Sequence, residues 1–261
     1  MKSLQIAASG MAAQQLRVDV ISNNIANMST AAYRPRSAEF SDLMYQQYLT
    51  PGTITSQVGT VVPAGIQIGT GVRPSTVSMD ITQGSLRETG AELDLAIEGS
   101  GFLEVTLPSG DSAFTRDGKL NRGADGQIVT MLGFPLADGI TIPQDARRIS
   151  IGRDGEVAAY FDNEAEGRAI GTISLASFVN EKGLEAMGDN MFRETEASGT
   201  VSRQVPGAEG TGFLRQGFLE ESGVDVVQEI SELIEAQRGY ELNSKVITAS
   251  DEMLAATTRV R

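Results

Sequence analysis

The stretch LQIAASGMAAQQLRVDVISNNIANM, residues 4–28, carries an apolar side chain at every seventh position. This row contains Leu4, Met11, Val18 and Ile25, and a second row three residues further along the chain contains Ile21 and Met28. Heptad spacing over nearly four repeats predicts a helix that buries one side against other helices. Gly10 and several asparagines lower the intrinsic helix propensity, so this helix needs a partner.

The C-terminal segment, residues 226–254, repeats the pattern. Its apolar positions are Val226, Ile230, Leu233, Tyr240, Ile247 and Leu254. Ser222 and Asp225 precede the row and predict a capping box, with the helix beginning near Val224.

The two ends carry opposite charge. Residues 1–36 hold four basic side chains and one acidic side chain, a net charge of 4 − 1 = +3, whereas residues 220–261 hold four basic and nine acidic side chains, 4 − 9 = −5. The two helices are therefore expected to attract each other and to pair as a coiled coil. The alternative is a pair of core helices in a compact monomer, but their position at the extreme ends favours pairing followed by stacking on neighbouring copies.

The middle of the chain has the two-residue period of β-strands, as in LDLAI at residues 93–97. Four Asp-Gly pairs, at 117–118, 125–126, 138–139 and 154–155, favour tight turns and predict hairpins from about residue 85 to 180. The predicted fold is α+β: the terminal helices, and a β-rich central region of hairpins with a small barrel- or sandwich-like domain.

Three regions are predicted from these changes in pattern. Residues 1–31 with 222–261 form a terminal assembly domain, residues 32–75 with 203–221 an extended β and linker domain, and residues 76–202 a β-rich outer domain. The second region contains a nearly uncharged insert at 46–66, which is long for an ordinary connection.

Composition excludes much of enzyme chemistry. The 261 residues contain no cysteine and no histidine, which removes thiol and imidazole nucleophiles, the usual zinc sites and the commonest general base. A net charge of −13 argues against nucleic acid and anionic lipid as partners. No run of about eighteen apolar residues predicts a membrane span. The start of the chain also lacks the pattern of a cleaved secretory signal.

No motif for catalysis or cofactor binding emerges. The glycine-rich stretch GAEGTG at 207–212 lacks the Lys-Ser/Thr of a phosphate loop and is interpreted as a turn or connection. The acidic turn around Asp117 and Asp125 lacks the ligand spacing of a calcium loop. Neither a cofactor nor a metal is expected, and the chain is predicted not to be an enzyme.

Both termini resemble the bacterial flagellar rod and hook proteins. The N-terminal match runs through ASGM at 8–11 and DVISNNIAN at 19–27, and the C-terminal match through ELIEAQRGYELNSK at 232–245. The motif residues that carry the resemblance are Ser22, Asn23, Asn24, Ala26, Asn27, Gln237, Arg238 and Asn243. Further motifs, QIGTGVR at 67–73 and TQGSL at 82–86, resemble the distal rod branch of this family.

The resemblance implies a structural subunit of the flagellar distal rod, a rigid helical tube that transmits motor torque across the periplasm to the hook. It implies the following partners: further copies of the chain, proximal rod proteins, the hook protein, the L- and P-ring proteins as a surrounding bushing, and the flagellar type III export apparatus. Export without a cleaved signal peptide follows from the same resemblance. The insert at 46–66 resembles the segment that stiffens the distal rod.

Two alternatives to a distal rod subunit are left open by the sequence. One is a proximal rod component or hook-type axial protein, against which the insert argues. The other is a secreted enzyme that cuts carbohydrate or peptidoglycan, which would require two carboxylates facing a cleft. The paired Glu220 and Glu221 give no sign of such a cleft and are predicted to lie on a solvated face or an interface rim. The direct test of the assembly prediction is Ile21→Asp, which should abolish assembly.

Overall fold

The computed structural model describes residues 2–50, 65–162, 167–208 and 210–259, with side chains to residue 256. The chain forms two compact units. The first, here called the helix unit, contains Met1–Ala26, Arg36–Ser78 and Asp225–Arg261. The second, the β unit, contains Asn27–Pro35 and Met79–Val224. The three-part division predicted from the sequence stays a prediction.

Two long helices define the helix unit, as the heptad rows predict. Helix α1 spans Lys2–Ala26 and helix α2 spans Val226–Arg259. The Asp225 carboxylate accepts hydrogen bonds from the backbone N–H groups of Val227 at 2.9 Å and Gln228 at 3.2 Å, so it caps the start of α2. The helix begins at Val226, within two residues of the predicted start near Val224. The capping box with Ser222 is wrong, because Asp225 itself caps the helix through these two amides.

Four strands complete the helix unit. They are β1 Arg36–Asp42, β2 Tyr45–Leu49, β3 Ile66–Gly69 and β4 Val72–Met79, the last residue of which belongs to the β unit. Strand β1 pairs with β4, and β2 pairs with β3 in antiparallel register. Most of the predicted insert, residues 51–64, lies outside the described residues.

The β unit is built from short strands. They are β5 Leu86–Glu88, β6 Leu95–Glu98, β7 Leu103–Thr106, β8 Ser112–Thr115, β9 Leu120–Arg122, β10 Ile128–Thr130, β11 Arg148–Ile151, β12 Glu156–Tyr160, β13 Arg168–Thr172, β14 Leu175–Ser177, β15 Glu185–Gly188, β16 Met191–Arg193, β17 Ser202–Gln204, β18 Phe213–Gln216 and β19 Phe218–Glu220. A 3-10 turn lies at Glu181–Gly183.

These strands confirm the β-rich middle but not the barrel. The widest described sheet has the order β15-β16-β8-β7, another has the order β11-β12-β13, and the remaining strands pair in twos, as in β18-β6 and β19-β5. A barrel requires one continuous ladder that closes on itself. The described strands of three to five residues do not form such a ladder, so the predicted barrel is wrong.

The Asp-Gly pairs do not all lie in the turns of hairpins. Gly126 and Gly155 adopt positive φ in the β9–β10 and β11–β12 hairpins, as predicted. Gly118 has a different role, because a Cβ added there would lie 1.5 Å from the carbonyl oxygen of Leu95, whose N–H bonds to the Gly118 carbonyl at 2.9 Å. Glycine at 118 therefore permits a close approach of two backbones and does not make a hairpin.

The β unit contains two apolar clusters. The larger draws fully buried side chains from most of its strands, among them Leu95, Leu103 and Ile173. The smaller stacks phenylalanines edge to face, with Phe102 and Phe192 at 5.8 Å between ring centroids. Each cluster supplies the packed interior that short strands need for stability.

Candidate functional site: the terminal helix pair

Helices α1 and α2 lie side by side and antiparallel. Ser3 Oγ lies 3.4 Å from Ser250 Oγ near one end, and Arg17 Nη2 lies 3.3 Å from Glu232 Oε2 towards the other. Pairing of the two ends is thus observed, and the ion pair follows the predicted charge difference. Coiled-coil geometry within the pair stays a prediction.

Small and polar residues form the contact between the helices. A Cβ added at Gly10 would lie 2.9 Å from Asn243 Nδ2, and one added at Gly239 would lie 3.1 Å from Gln14 Cδ. The alanines and serine that are buried on the two helices are Ala7, Ala13, Ala236 and Ser250. Such residues let two helix backbones approach closely, and Gly10, Ala236 and Gly239 lie outside the apolar rows that the heptads emphasise.

The twelve apolar residues of the heptad rows, here called the predicted seam residues, lie in three settings. Ile21 alone is buried in this chain. The half-buried seam residues are Leu4, Met11, Val18, Ile25, Val226, Leu233 and Ile247. The exposed seam residues are Met28, Ile230, Tyr240 and Leu254. Most of the predicted seam therefore retains apolar surface that the helix pair itself does not cover.

Helix α2 exposes further large apolar side chains that the heptad pattern did not include. Val227 is 76% exposed, and Ile234, Leu242, Val246 and Met253 are also exposed. Val227, Ile230 and Ile234 follow the i, i+3, i+7 spacing of one helix face. Searching for apolar residues at this spacing, in addition to strict heptads, would have found this face.

The family motif residue Asn24 is buried and contacts two other elements. Its side chain bonds to both backbone groups of Arg36, with Nδ2 donating to the carbonyl at 2.8 Å and Oδ1 accepting from the N–H at 3.0 Å. Nδ2 also lies 2.9 Å from Glu229 Oε1 of α2. Burial raises the pKa of the Glu229 carboxyl, while the Asn24 hydrogen bond acts in the opposite direction. Asn24 thus ties the end of α1 to β1 and to α2.

The other motif residues are distributed along both helices. Asn243 donates to the Gly239 carbonyl at 3.0 Å and packs beside Gly10. Asn27 Oδ1 accepts from Thr30 Oγ1 at 3.1 Å in the turn after α1. The motif side chains that face solvent are Ser22, Asn23, Ala26, Gln237 and Arg238.

A groove of about 410 Å³ runs between the two helices. It is lined by Gln15 and Val18 of α1 and by Gln237, Tyr240 and Glu241 of α2. Two predicted seam residues, Val18 and Tyr240, give it an apolar lining, and three polar side chains border them.

The β unit holds a buried charge cluster that the sequence did not predict. Glu220 Oε2 accepts from Arg116 Nε at 2.7 Å, and Glu220 Oε1 lies 3.7 Å from Arg34 Nη2 and accepts from the Gly84 N–H at 3.0 Å. All three charged side chains are at most 4% exposed. Burial, together with the nearby Arg116, lowers the pKa of Arg34. Glu220 is therefore a structural counter-ion, whereas Glu221 lies exposed beside it in sequence and pairs with Arg87 at 3.2 Å.

The described part of the chain shows no group of three or more acidic side chains placed to hold a metal ion. No helix within the described residues is long and apolar enough to cross a membrane.

Comparison with known proteins gives three family matches that together cover both ends and part of the middle. Residues 4–34 match the family described as flagella basal body rod protein, residues 96–159 the flagellar hook protein FlgE/F/G D1 domain, and residues 215–260 the flagellar basal body rod FlgEFG protein C-terminal region.

Individual relatives match over the whole chain. The chain is 49% identical to the flagellar basal-body rod protein FlgG of Caulobacter vibrioides, with all of both chains covered. It is 44% identical to that of Agrobacterium fabrum, with 99% of each chain covered, and 38% identical to that of Bacillus subtilis, with 97% of each covered.

The paired terminal helices and the three family matches define a structural protein of the flagellar rod and hook class, not an enzyme. Within that class the chain belongs to the family of flagellar basal-body rod protein FlgG, whose members are structural subunits of the flagellar distal rod.

Proposed function

We propose that this chain polymerises through its terminal helix pair into a rigid helical tube, which transmits motor torque across the periplasm to the hook. One observation carries the proposal: α2 exposes large apolar side chains along its length although it is already paired with α1. Contiguous exposed apolar surface of this kind marks an interaction site. A contact between two different surfaces of one chain can repeat without closing and so build a filament.

The predicted seam supplies this interface. Half-buried residues such as Met11 and Leu233 border the helix pair, and exposed ones such as Ile230 and Leu254 extend outward from it. Ile230 and Leu254 are 46% and 42% exposed, so covering the rest of each side chain stabilises an assembly by less than the about 1.5–3 kcal/mol of full burial, before the entropic cost of association.

The proposed neighbours are those that a rod subunit spanning the periplasm would contact. They are further copies of the chain along its length, proximal rod proteins at one end, the hook protein at the other, and the L- and P-ring proteins around it. The proposed route to this position is the flagellar type III export apparatus, without cleavage of a signal peptide. The insert at 46–66 is proposed to stiffen the tube; a polymer that lacks residues 46–64 but bends no more easily would contradict this role.

The test compares two exposed apolar residues. Ile234→Asp, on α2, should abolish rods in cells whose own copy is replaced, because a charge then enters the proposed interface. Leu132→Asp is the matched control, since Leu132 is similarly exposed in the β unit. Electron microscopy of purified basal bodies gives the readout, and normal rod numbers with Ile234→Asp would refute the proposal. The buried Ile21 is a weaker choice, because Ile21→Asp also disrupts packing within one chain.

A further inference from the structure

The groove between α1 and α2 has the lining of a site for a cationic side chain. The Tyr240 ring and Val18 offer apolar surface, and Glu241 places a carboxylate on the rim. An arginine suits such a site, because its stem packs on apolar groups while its planar guanidinium stacks on aromatic rings and pairs with carboxylates.

The helix pair contains few cations able to occupy this groove. Lys2 contacts Gln46 and Tyr48, and Arg17 pairs with glutamates of α2. Among the helix side chains that the structure describes, Lys2, Arg238 and Lys245 have no ion pair within 4.0 Å, and Lys2 is already held by its hydrogen bonds.

Arg238 also lies beside apolar surface that is already exposed. It follows Ile234 by four residues, which places it one turn further along the same helix face. Although Arg238 is only three residues from Glu241, the two form no ion pair in this chain as described. Glu241 and Arg238 therefore each lack an ion-pair partner among the side chains that the structure describes.

We propose that Arg238 of one copy inserts into the groove of a second copy, where its guanidinium donates to Glu241 and stacks on Tyr240. The inference rests on the proposed function and assigns one contact of the polymer. Charge complementarity identifies the occupant, because the groove is acidic at its rim and the same chain carries the unpaired cation on an exposed apolar face. Gln237 lines the groove and supplies a further acceptor for the guanidinium.

The first experiment changes one charge at a time in cells whose own copy is replaced. Arg238→Glu should lower the number of complete rods at least about tenfold, because a second carboxylate then faces Glu241 at every such contact. The matched control is Lys182→Glu, which makes the same charge change at an exposed residue of the β unit, and it should retain normal rods. Normal rods with Arg238→Glu, or equal losses with both substitutions, would overturn the proposal.

The second experiment mixes two defective chains. Glu241→Arg should fail alone, as Arg238→Glu does, but co-expression of the two chains should restore rods. In an alternating polymer each reversed cation then meets a reversed groove, and each original cation meets an original groove. Defects in folding or export would persist in the mixture, so failure to restore rods rejects this contact.

The experiments distinguish a failure of the groove contact from a failure of the proposed assembly through the helices. If Ile234→Asp abolishes rods while Arg238→Glu leaves them intact, the polymer forms through α2 but not through this groove. If Ile234→Asp also leaves rods intact, the proposed helix-mediated assembly itself fails.

Discussion

The β unit and the helix unit bury their side chains in opposite ways. The β unit encloses large residues such as Leu95 and Phe102 and even a charged cluster around Glu220. The helix unit joins α1 to α2 through glycine, alanine and serine, and leaves Val227 and Leu242 mostly exposed. The β unit thus completes its core within one chain, whereas the helix unit keeps apolar surface for other contacts.

The strongest test of this contrast removes the buried counter-ion of the β unit. Glu220→Gln leaves Arg116 and Arg34 in the interior without a carboxylate, which should lower the free energy of unfolding by about 3–5 kcal/mol. Glu221→Gln, which affects an exposed ion pair with Arg87 and an exposed hydrogen bond from Ser85, should cost less than about 1 kcal/mol. Urea unfolding followed by β-sheet circular dichroism measures both. Equal costs for the two substitutions would mean that the cluster does not support the β unit.

A test with a smaller expected effect compares two glycines that lie close to another part of the chain. Gly118→Ala would drive a Cβ into the Leu95 carbonyl and should destabilise the β unit by about 1–3 kcal/mol. Gly10→Ala meets only the end of the Asn243 side chain and gains about 1 kcal/mol of helix propensity, so its net effect should be near zero. Thermal unfolding of both variants checks this order. A larger loss for Gly10→Ala would show that the helix contact is the more tightly packed of the two.

The smallest expected effect is on the pH dependence of the free energy of unfolding. The Arg203 hydrogen bond lowers the pKa of Glu104 in the β unit, whereas burial raises the pKa of Glu229 in the helix unit. A lowered pKa gives stability that is present above the ordinary pKa of a glutamate and is lost as the pH falls through the lowered value. A raised pKa has the opposite sign, so protonation of Glu229 stabilises the fold as the pH falls.

Arg203→Met should therefore cost about 1 kcal/mol at pH 7, and the difference should be smaller at pH 3, because protonation of Glu104 weakens the pair. Glu229→Gln should be tolerated best at pH 7, where it removes a carboxylate that is unfavourable to bury. Hydrogen exchange in α2 and urea unfolding at both pH values measure these effects. A constant cost of Arg203→Met at all pH values would show that the ion pair adds nothing beyond packing.

Sequence patterns located most elements but not their contacts. The heptads around Leu4 and Leu233 predict both helices because apolar periodicity is a local property. The same heptads did not point to the glycines where the helices approach each other, since Gly10 and Gly239 carry no apolar signal. The barrel was wrong for a related reason: two-residue alternation predicts strands but does not specify which strands pair.

The sequence by itself determined the two terminal helices, their opposite charges, the β-rich middle and the family, because these depend on residue types and spacing along the chain. Only the tertiary structure decided that Glu220 is a buried counter-ion while its neighbour Glu221 is exposed, and that Val18 and Tyr240 share one groove. Such facts depend on residues distant in the chain, whose burial and pairing no local pattern specifies.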